Sequence, residues 1–429
     1  MTPAGRFASA IELLATIEQD RRPADAVANE YFRARRFIGS TDRREISDRV
    51  WGVLRTWRRV GWWLARVGGQ RSARLMAAGL AVLDGGSADA VAGLFSGGRF
   101  APAALSAAEA TALRRLGGHT LEHPEMPEAV RFEVPDWVLP KLQARFGPAL
   151  PAEMRALLTP APLDLRANLL RGTREQAKAE LEKEGIATEE TRLSPWGLRV
   201  TARRPVTTGA AFRSGLVEIQ DEGSQCIAIL ADARPGMRVA DFCAGAGGKT
   251  LAMAMAMQNR GHIVACDVSP PRLESAVRRL RRAGVHNVER LVLAPGEKRL
   301  KRLTGSFDRV LVDAPCSGTG TWRRNPDARR RLEPGDLEEL IVKQQAILDS
   351  AARLVRIGGR LIYATCSMLR EENESQVAEF LGRQAGFVVM PVELAWPGGP
   401  PPPAGDFLLL TPARHGTDGF FAAVLERTA

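Results

Sequence analysis

Residues Asp241 to Thr250 read DFCAGAGGKT, and the ligand this glycine turn holds decides how the C-terminal half is built. The stretch ends in Gly-Lys-Thr, as a phosphate-binding P-loop does, and it nearly contains a Gly-x-Gly fingerprint. A P-loop needs glycine where this chain has Cys243, although FDRVLVDAP could pass for the acidic strand that positions magnesium. A P-loop nucleotide triphosphatase is therefore one reading. The other turns on Asp267, which ends the next apolar run, HIVACDV. An acid there is placed to accept from ribose hydroxyls, as in dinucleotide and S-adenosylmethionine (SAM) sites. The turn together with that acid favours an adenosine cofactor.

Around the turn, RVADFC, HIVACDV, RVLVDAP and RLIYATC are apolar runs of strand length. TLAMAMAMQ, PRLESAVRRLRRAG and LEELIVKQQAILDSAARLV between them have helical character. This alternation predicts a parallel, doubly wound sheet over residues 236–429, with ligands at the carboxyl ends of the strands. PGGPPPPAGD, 397–406, reads as a loop before two last strands, FLLLTP and FFAAVLER. Residues 135–235 alternate short strand-like runs (LDLRANL, LRVTARR, LVEIQDEG) with one helix, REQAKAELEKEG, which suits a small α+β module. The proline-punctuated HPEMPEAVRFEVPDWVLP marks the boundary before it.

Residues 1–125 read as all-α. FASAIELLATIEQ and EISDRVWGVLRTWRRVGWWLARV carry apolar residues at i, i+3, i+4 and i+7, and Thr41-Asp42 is a plausible start for the second. Trp51, Trp57, Trp62 and Trp63 could stack on RNA bases, but helical spacing favours core packing. Between Tyr31 and Leu75 there are twelve Arg against three acids, which fits either a solvated helix face or a surface for a polyanion.

The chain has 429 residues, too many for one core, and the composition of an ordinary globular protein. Its net charge of +11 comes almost wholly from arginine, since there are only seven lysines. No apolar run reaches the roughly 20 residues needed to cross a bilayer. The N-terminus lacks a signal-peptide layout, so a cytoplasmic protein is expected. The five cysteines form no Cys-x-x-Cys pair and the histidines do not cluster with them, so no metal site is expected.

Two of those cysteines end strands. Asp313-Ala314-Pro315-Cys316-Ser317-Gly318 follows RVLV, and Thr365-Cys366-Ser367 follows RLIYA. Either alone would read as a small buried apolar residue. Two beside one cofactor crevice suggest covalent catalysis. Carbon 5 of cytosine is too weak a nucleophile for a methyl sulfonium until a thiolate adds at carbon 6 and makes it enamine-like.

With these motifs in place, the chain resembles the Sun/Nop group of RNA cytosine-5 methyltransferases, and most closely its RsmB type. The matching residues are DFCAGAGGKT, ACDVSPPRL, FDRVLVDAPCSGTGTWRRNPD, LIYATCS followed by EENE, and HGTDGFF. PLDLRANLLRGTREQA and VEIQDEGSQ resemble the segment before the catalytic core. The resemblance implies a NusB-like RNA-binding domain over 1–125, a linking α+β module over 135–235, and a Rossmann-like methyltransferase domain over 236–429. It implies SAM as cofactor, lined by Cys243, Ala244, Gly245, Ala246, Gly247, Gly248 and Lys249, with Asp267 on the ribose and Arg272 nearby. The family turn has proline where this chain has Ala246. Cys366 would be the nucleophile, Cys316 would assist release, and Asp313 would hydrogen-bond the base or the cofactor's end. DNA cytosine-5 methyltransferases instead use the Pro-Cys cysteine, and spacing alone does not choose.

The product implied is 5-methylcytosine in RNA, most naturally a cytosine of 16S ribosomal RNA, with transfer RNA as the alternative. RNA is the expected partner, with no membrane, no obligate protein partner and a monomeric chain. A non-enzymatic assembly factor using only the helical domain is a further rival. The N-terminal 120 residues are expected to be separable, so that their loss weakens RNA binding and spares SAM binding.

Overall fold

In the computed structural model every residue is described except 203, 295–297 and 399–403. Part of the 397–406 loop therefore lies outside the described residues. The chain divides into two compact units.

The first unit comprises Met1–Thr159 with Trp322–Leu332. Its helices include Pro3–Gln19, Ala24–Ala34, Ser40–Arg55, Trp57–Arg66 and Ala73–Leu83. Their apolar stripes close on one core containing Phe7, Leu13, Ile46, Trp63 and Met76. The 45–67 stretch is two helices, broken at Thr56. There the Thr56 hydroxyl donates to the Gly52 carbonyl at 2.9 Å, and its backbone N–H is shared between Gly52 and Val53. A side chain that competes for a helical carbonyl in this way bends the helix. Trp57 and Trp63 are buried, while Trp51 and Trp62 are half-buried against the same core. The excess of arginine is partly neutralised by acids outside the Arg-rich window. Arg35 pairs with Glu12, Arg74 with Glu109, and buried Arg59 with Glu122 and Glu133. Arg33, Arg36, Arg43 and Arg44 remain exposed.

Residues 322–332, read from the sequence as part of the catalytic stretch, are built into this helical unit. Trp322 is buried, the Asp327 carboxylate accepts from the Ala24 N–H at 3.0 Å, and Arg55 donates to the Arg323 carbonyl at 3.1 Å. Arg329 is buried over the Trp322 ring. Burial pushes its pKa down to about 10 although Glu133 opposes the shift. Periodicity carries no signal for such an exchange, because the segment is held by individual side chains.

The second unit comprises Pro160–Thr321 and Glu333–Ala429. It contains two sheets. The smaller holds β1 (Leu163–Ala167), β2 (Thr188–Glu190), β3 (Gly197–Val200) and β4 (Val217–Ile219), in the order β2-β3-β1-β4, all antiparallel. The helix Arg174–Lys183 covers one face, fixed by a Thr173–Gln176 capping box, so this is the α+β module.

The larger sheet holds β5 (Arg238–Asp241), β6 (His262–Asp267), β7 (Val288–Val292), β8 (Phe307–Asp313), β9 (Val355–Thr365), β10 (Phe387–Met390), β11 (Leu408–Leu410) and β12 (Phe420–Arg427). Its order is β10-β12-β9-β8-β5-β6-β7, with β11 on β12. Alternate residues serve opposite faces: Val239 and Leu311 enter one core, Ala240 and Val310 the other. That explains why these strands read as unbroken apolar runs. Five strands are parallel as expected, but β10, β11 and β12 make the sheet mixed. Residues 411–419 between β11 and β12 are too few for the helical crossover a parallel neighbour needs, so the chain returns antiparallel. The fold is Rossmann-like. Its strand order reverses between β5 and β8, and the crevice at such a switch point is where ligands bind.

Candidate active site

The DFCAGAGGKT stretch leaves β5, turns, and enters the helix Gly248–Ala256. Gly247, at φ +80°, caps that helix in the left-handed region, and a Cβ there would stand 3.1 Å from the Ala276 Cβ. Only glycine meets both demands. The Gly245 N–H donates to Asp267 Oδ2 at 2.8 Å, and the Ser269 N–H to Asp267 Oδ1 at 2.8 Å, so the acid at the end of β6 is oriented by backbone on both oxygens. Beneath the turn, buried Asp241 accepts from the Thr250 hydroxyl at 2.6 Å; burial raises its pKa to about 7.

The turn edges a cleft of about 680 Å³, a volume suited to a cofactor-sized ligand. Cys243, Gly245, Lys249, Asp267, Arg272 and Asp313 all line it, as do Ala244, Ala246 and Gly248. Gly247 shapes the turn without lining the cleft. Ala294, two residues after β7, is exposed and lines a neighbouring cavity of about 570 Å³. Residues 295–297 beyond it lie outside the described residues.

Lys249 does not point along the cleft as a free phosphate ligand. Its Nζ lies 2.6 Å from Asp313 Oδ2 and over the Phe420 ring at 5.6 Å. Burial works against its ammonium, but Asp313, with Cys366 acting in the same direction, outweighs that cost and the Lys249 pKa stands raised.

The two strand-end cysteines meet. Cys316 Sγ and Cys366 Sγ are 3.4 Å apart, both half-buried. The hydrogen bond from Cys366 and then burial hold the Cys316 pKa well above the usual thiol value. The other cysteines differ: Cys226 and Cys266 are buried among apolar residues, and burial raises the thiols of Cys226, Cys243 and Cys266.

What joins the two cysteine loops is a residue the sequence reading gave no role. Glu372, fully buried, accepts from the Ser317 N–H at 2.8 Å and from Gln344 Nε2 at 3.0 Å, while its other oxygen takes the hydroxyls of Ser317 and Ser367. These serines directly follow Cys316 and Cys366. The stretch EENE after LIYATCS was the available signal: an acid in it, lying where two small hydroxyl residues flank the cysteines. The backbone closes further at Gly320, whose N–H donates to the Cys366 carbonyl at 2.9 Å and whose carbonyl accepts from the Gly419 N–H at 2.9 Å. The HGTDGFF stretch thus abuts the Cys366 loop.

Comparison with known proteins bears on this arrangement. Residues 228–426 match the family described as 16S rRNA methyltransferase RsmB/F, and residues 134–207 match its ferredoxin-like domain. The chain is 32% identical over 317 residues to a probable ribosomal RNA small subunit methyltransferase B of Synechocystis sp., covering 72% of this chain and 70% of that one. It is 35% identical over 292 residues to the ribosomal RNA small subunit methyltransferase B of Xylella fastidiosa, covering 68% of each. The crystal structure of PH0851 superposes with a TM-score of 0.79 at 25% identity, over 100% of this chain and 99% of that one. These relatives, and a lysine committed to Asp313 rather than to a phosphate, leave no ground for the P-loop reading. The chain belongs to the RsmB/F family, an RsmB-type member of the Sun/Nop group of methyltransferases that use S-adenosylmethionine.

Proposed function

We propose that this enzyme makes 5-methylcytosine in RNA, at a cytosine of 16S ribosomal RNA, through a covalent adduct between Cys366 and carbon 6 of the base. The observation that carries the proposal is the pair of thiols 3.4 Å apart at the ends of adjacent strands, beside the Lys249–Asp313 ion pair that closes the cofactor cleft. The names of the matched relatives support ribosomal RNA as the substrate.

The cleft fits SAM: its volume is right, the N-terminal end of the helix Gly248–Ala256 faces it, and the Asp267 carboxylate is held on its wall. SAM supplies an electrophilic methyl group on a sulfonium. The chain's residues do the rest. Lys249 keeps a positive charge close to Cys366, which favours the thiolate. The hydrogen bond from Cys366 and then burial hold the Cys316 thiol well above the usual value, so Cys316 stays protonated beside the attacking sulfur. Attack forms the S–C6 bond and moves the C5=C6 electron pair into the ring, so that C5 becomes nucleophilic. Asp313 holds the polar edge of the ring. Once C5 carries the methyl group, loss of its proton to a base restores the C5=C6 bond and expels the Cys366 thiolate, a step Cys316 assists.

The helical unit is proposed as a NusB-like RNA-binding domain, supported by the exposed Arg33, Arg36, Arg43 and Arg44. Phosphate contacts of that kind make binding fall steeply with salt. A flipped or single-stranded cytosine suits the pocket. The test is methylation of unmodified 16S ribosomal RNA and of transfer RNA with labelled SAM, followed by digestion to nucleosides. Label in 5-methylcytidine from 16S RNA is expected. Label only in transfer RNA would move the substrate, and label in any other nucleoside would refute the chemistry.

A further inference from the structure

The sequence assigns the cofactor turn to the methyltransferase domain alone, yet part of its support comes from the ferredoxin-like module. Arg166 on β1 and Glu218 on β4 are register partners. Their neighbours Leu165, Ala167 and Val217 enter the module's own core. Because strand side chains alternate, Arg166 and Glu218 project from the opposite face. Arg166 is 2% exposed. Its Nη1 donates to the Gly248 carbonyl at 3.0 Å and to Gln220 Oε1. Gln220 in turn lines the cleft and donates to the Ser224 hydroxyl at 3.1 Å. Glu218 reaches the turn through a second guanidinium: it lies 3.4 Å from Arg279 Nη2, and Arg279 Nη1 donates to the Ala246 carbonyl at 2.9 Å. Two carbonyls of one short turn are thus each capped by an arginine, and both caps trace back to one β-ladder pair.

We propose that Arg166 is a positioning residue for the methyl donor: with Glu218 acting through Arg279, it braces the turn Cys243–Gly248 in its SAM-binding shape. The brace acts at Ala246 and Gly248, on either side of the left-handed Gly247. A turn with two glycines at positive φ, Gly245 at +53° and Gly247 at +80°, has little stiffness of its own. Burial lowers the Arg166 pKa to about 10, against the pull of Glu218, so the guanidinium stays charged at neutral pH. That one nitrogen, Nη1, carries two N–H groups, so it serves the Gly248 carbonyl and the Gln220 amide oxygen at once.

The inference rests on the reading that the turn holds SAM, so the test separates the two. Full-length Arg166→Met, Arg166→Lys and Asp267→Ala are compared with wild type for SAM affinity by equilibrium titration, and for KM towards SAM and towards RNA. Arg166→Met is expected to weaken SAM binding about tenfold, the effect of losing one charge-assisted hydrogen bond, with KM for RNA unchanged. Arg166→Lys should recover part of the loss. If Arg166→Met does not fold, Glu218→Gln, which frees Arg279, should weaken SAM binding by a smaller factor. A folded Arg166→Met, or in its absence a folded Glu218→Gln, that binds SAM like wild type while Asp267→Ala does not would overturn the brace alone. Wild-type SAM affinity in both Arg166→Met and Asp267→Ala would overturn the brace together with the reading of the turn.

Discussion

Replacing Glu372 with glutamine tests whether one buried carboxylate keeps the two cysteine loops in register. Its Oε1 takes Ser317 N–H at 2.8 Å and Gln344 Nε2 at 3.0 Å, and its Oε2 takes two serine hydroxyls. An amide has the same shape but one acceptor oxygen and one donor group. The favourable orientation keeps the oxygen towards Ser317 N–H, whose hydrogen cannot turn away. The serine hydroxyls can rotate, since they are 3.2 Å apart and Thr319 Oγ1 is also 3.2 Å from Ser367. The loss is then the charge-assisted share of two bonds, about 2 kcal/mol. For a unit of this size that lowers the unfolding midpoint by roughly 4–8 °C. Because the two serines directly follow Cys316 and Cys366, kcat should fall about tenfold or more, as expected when reacting groups lose their positioning. KM for SAM should hold, since Glu372 does not line the cleft. Thermal unfolding and steady-state methyl transfer on the same preparation read both effects. Wild-type midpoint and kcat together would refute the clamp; a raised KM for SAM with kcat intact would show that Glu372 serves the cofactor instead.

Two further outcomes follow from the same loops and turn. Asp241 has a folded-state pKa raised from 3.8 to about 7, so its contribution to stability is fully present below the unfolded value and is lost as pH rises through about 7. Asp241→Asn keeps an acceptor for Thr250 and should flatten stability against pH between about 4 and 7; an unchanged slope in denaturant titrations would contradict the raised pKa. Gly320→Ala places a Cβ 2.4 Å from the Gly419 carbonyl oxygen and 2.8 Å from that of Cys366. It should cost about 1–3 kcal/mol and abolish most methyl transfer, and a fully active, equally stable variant would show that the loops need not approach so closely.

Much of this architecture could be read from residues alone. The strands β5, β6, β8 and β9 are buried on both faces, so their apolar runs stand out, and the catalytic motifs sit at their carboxyl ends by construction of a doubly wound sheet. Other features resisted because their causes are not periodic. The antiparallel return of β12 depends on a short connection after β11 rather than on composition. The break at Thr56 comes from a hydroxyl competing for one carbonyl. Glu372 and Arg166 look like ordinary charged residues until burial gives them partners from distant stretches. The segment 322–332 matters most for experiment. Removing residues 1–120 would strip Asp327 of its contact with Ala24, and Arg323 of its bond from Arg55, so the deletion is expected to disturb 322–332 along with RNA binding.

The central claim is that Cys366 attacks and Cys316 releases, and trapping the adduct tests it most directly. Wild type, Cys366→Ala and Cys316→Ala are incubated with labelled SAM and unmodified 16S ribosomal RNA, and denaturant-resistant protein–RNA complex is scored beside methylated product. Cys366→Ala is predicted to give neither. Cys316→Ala is predicted to accumulate the complex, because its adduct forms and is not resolved. Complex accumulating in Cys366→Ala, with Cys316→Ala giving neither complex nor product, would make Cys316 the nucleophile and contradict the account.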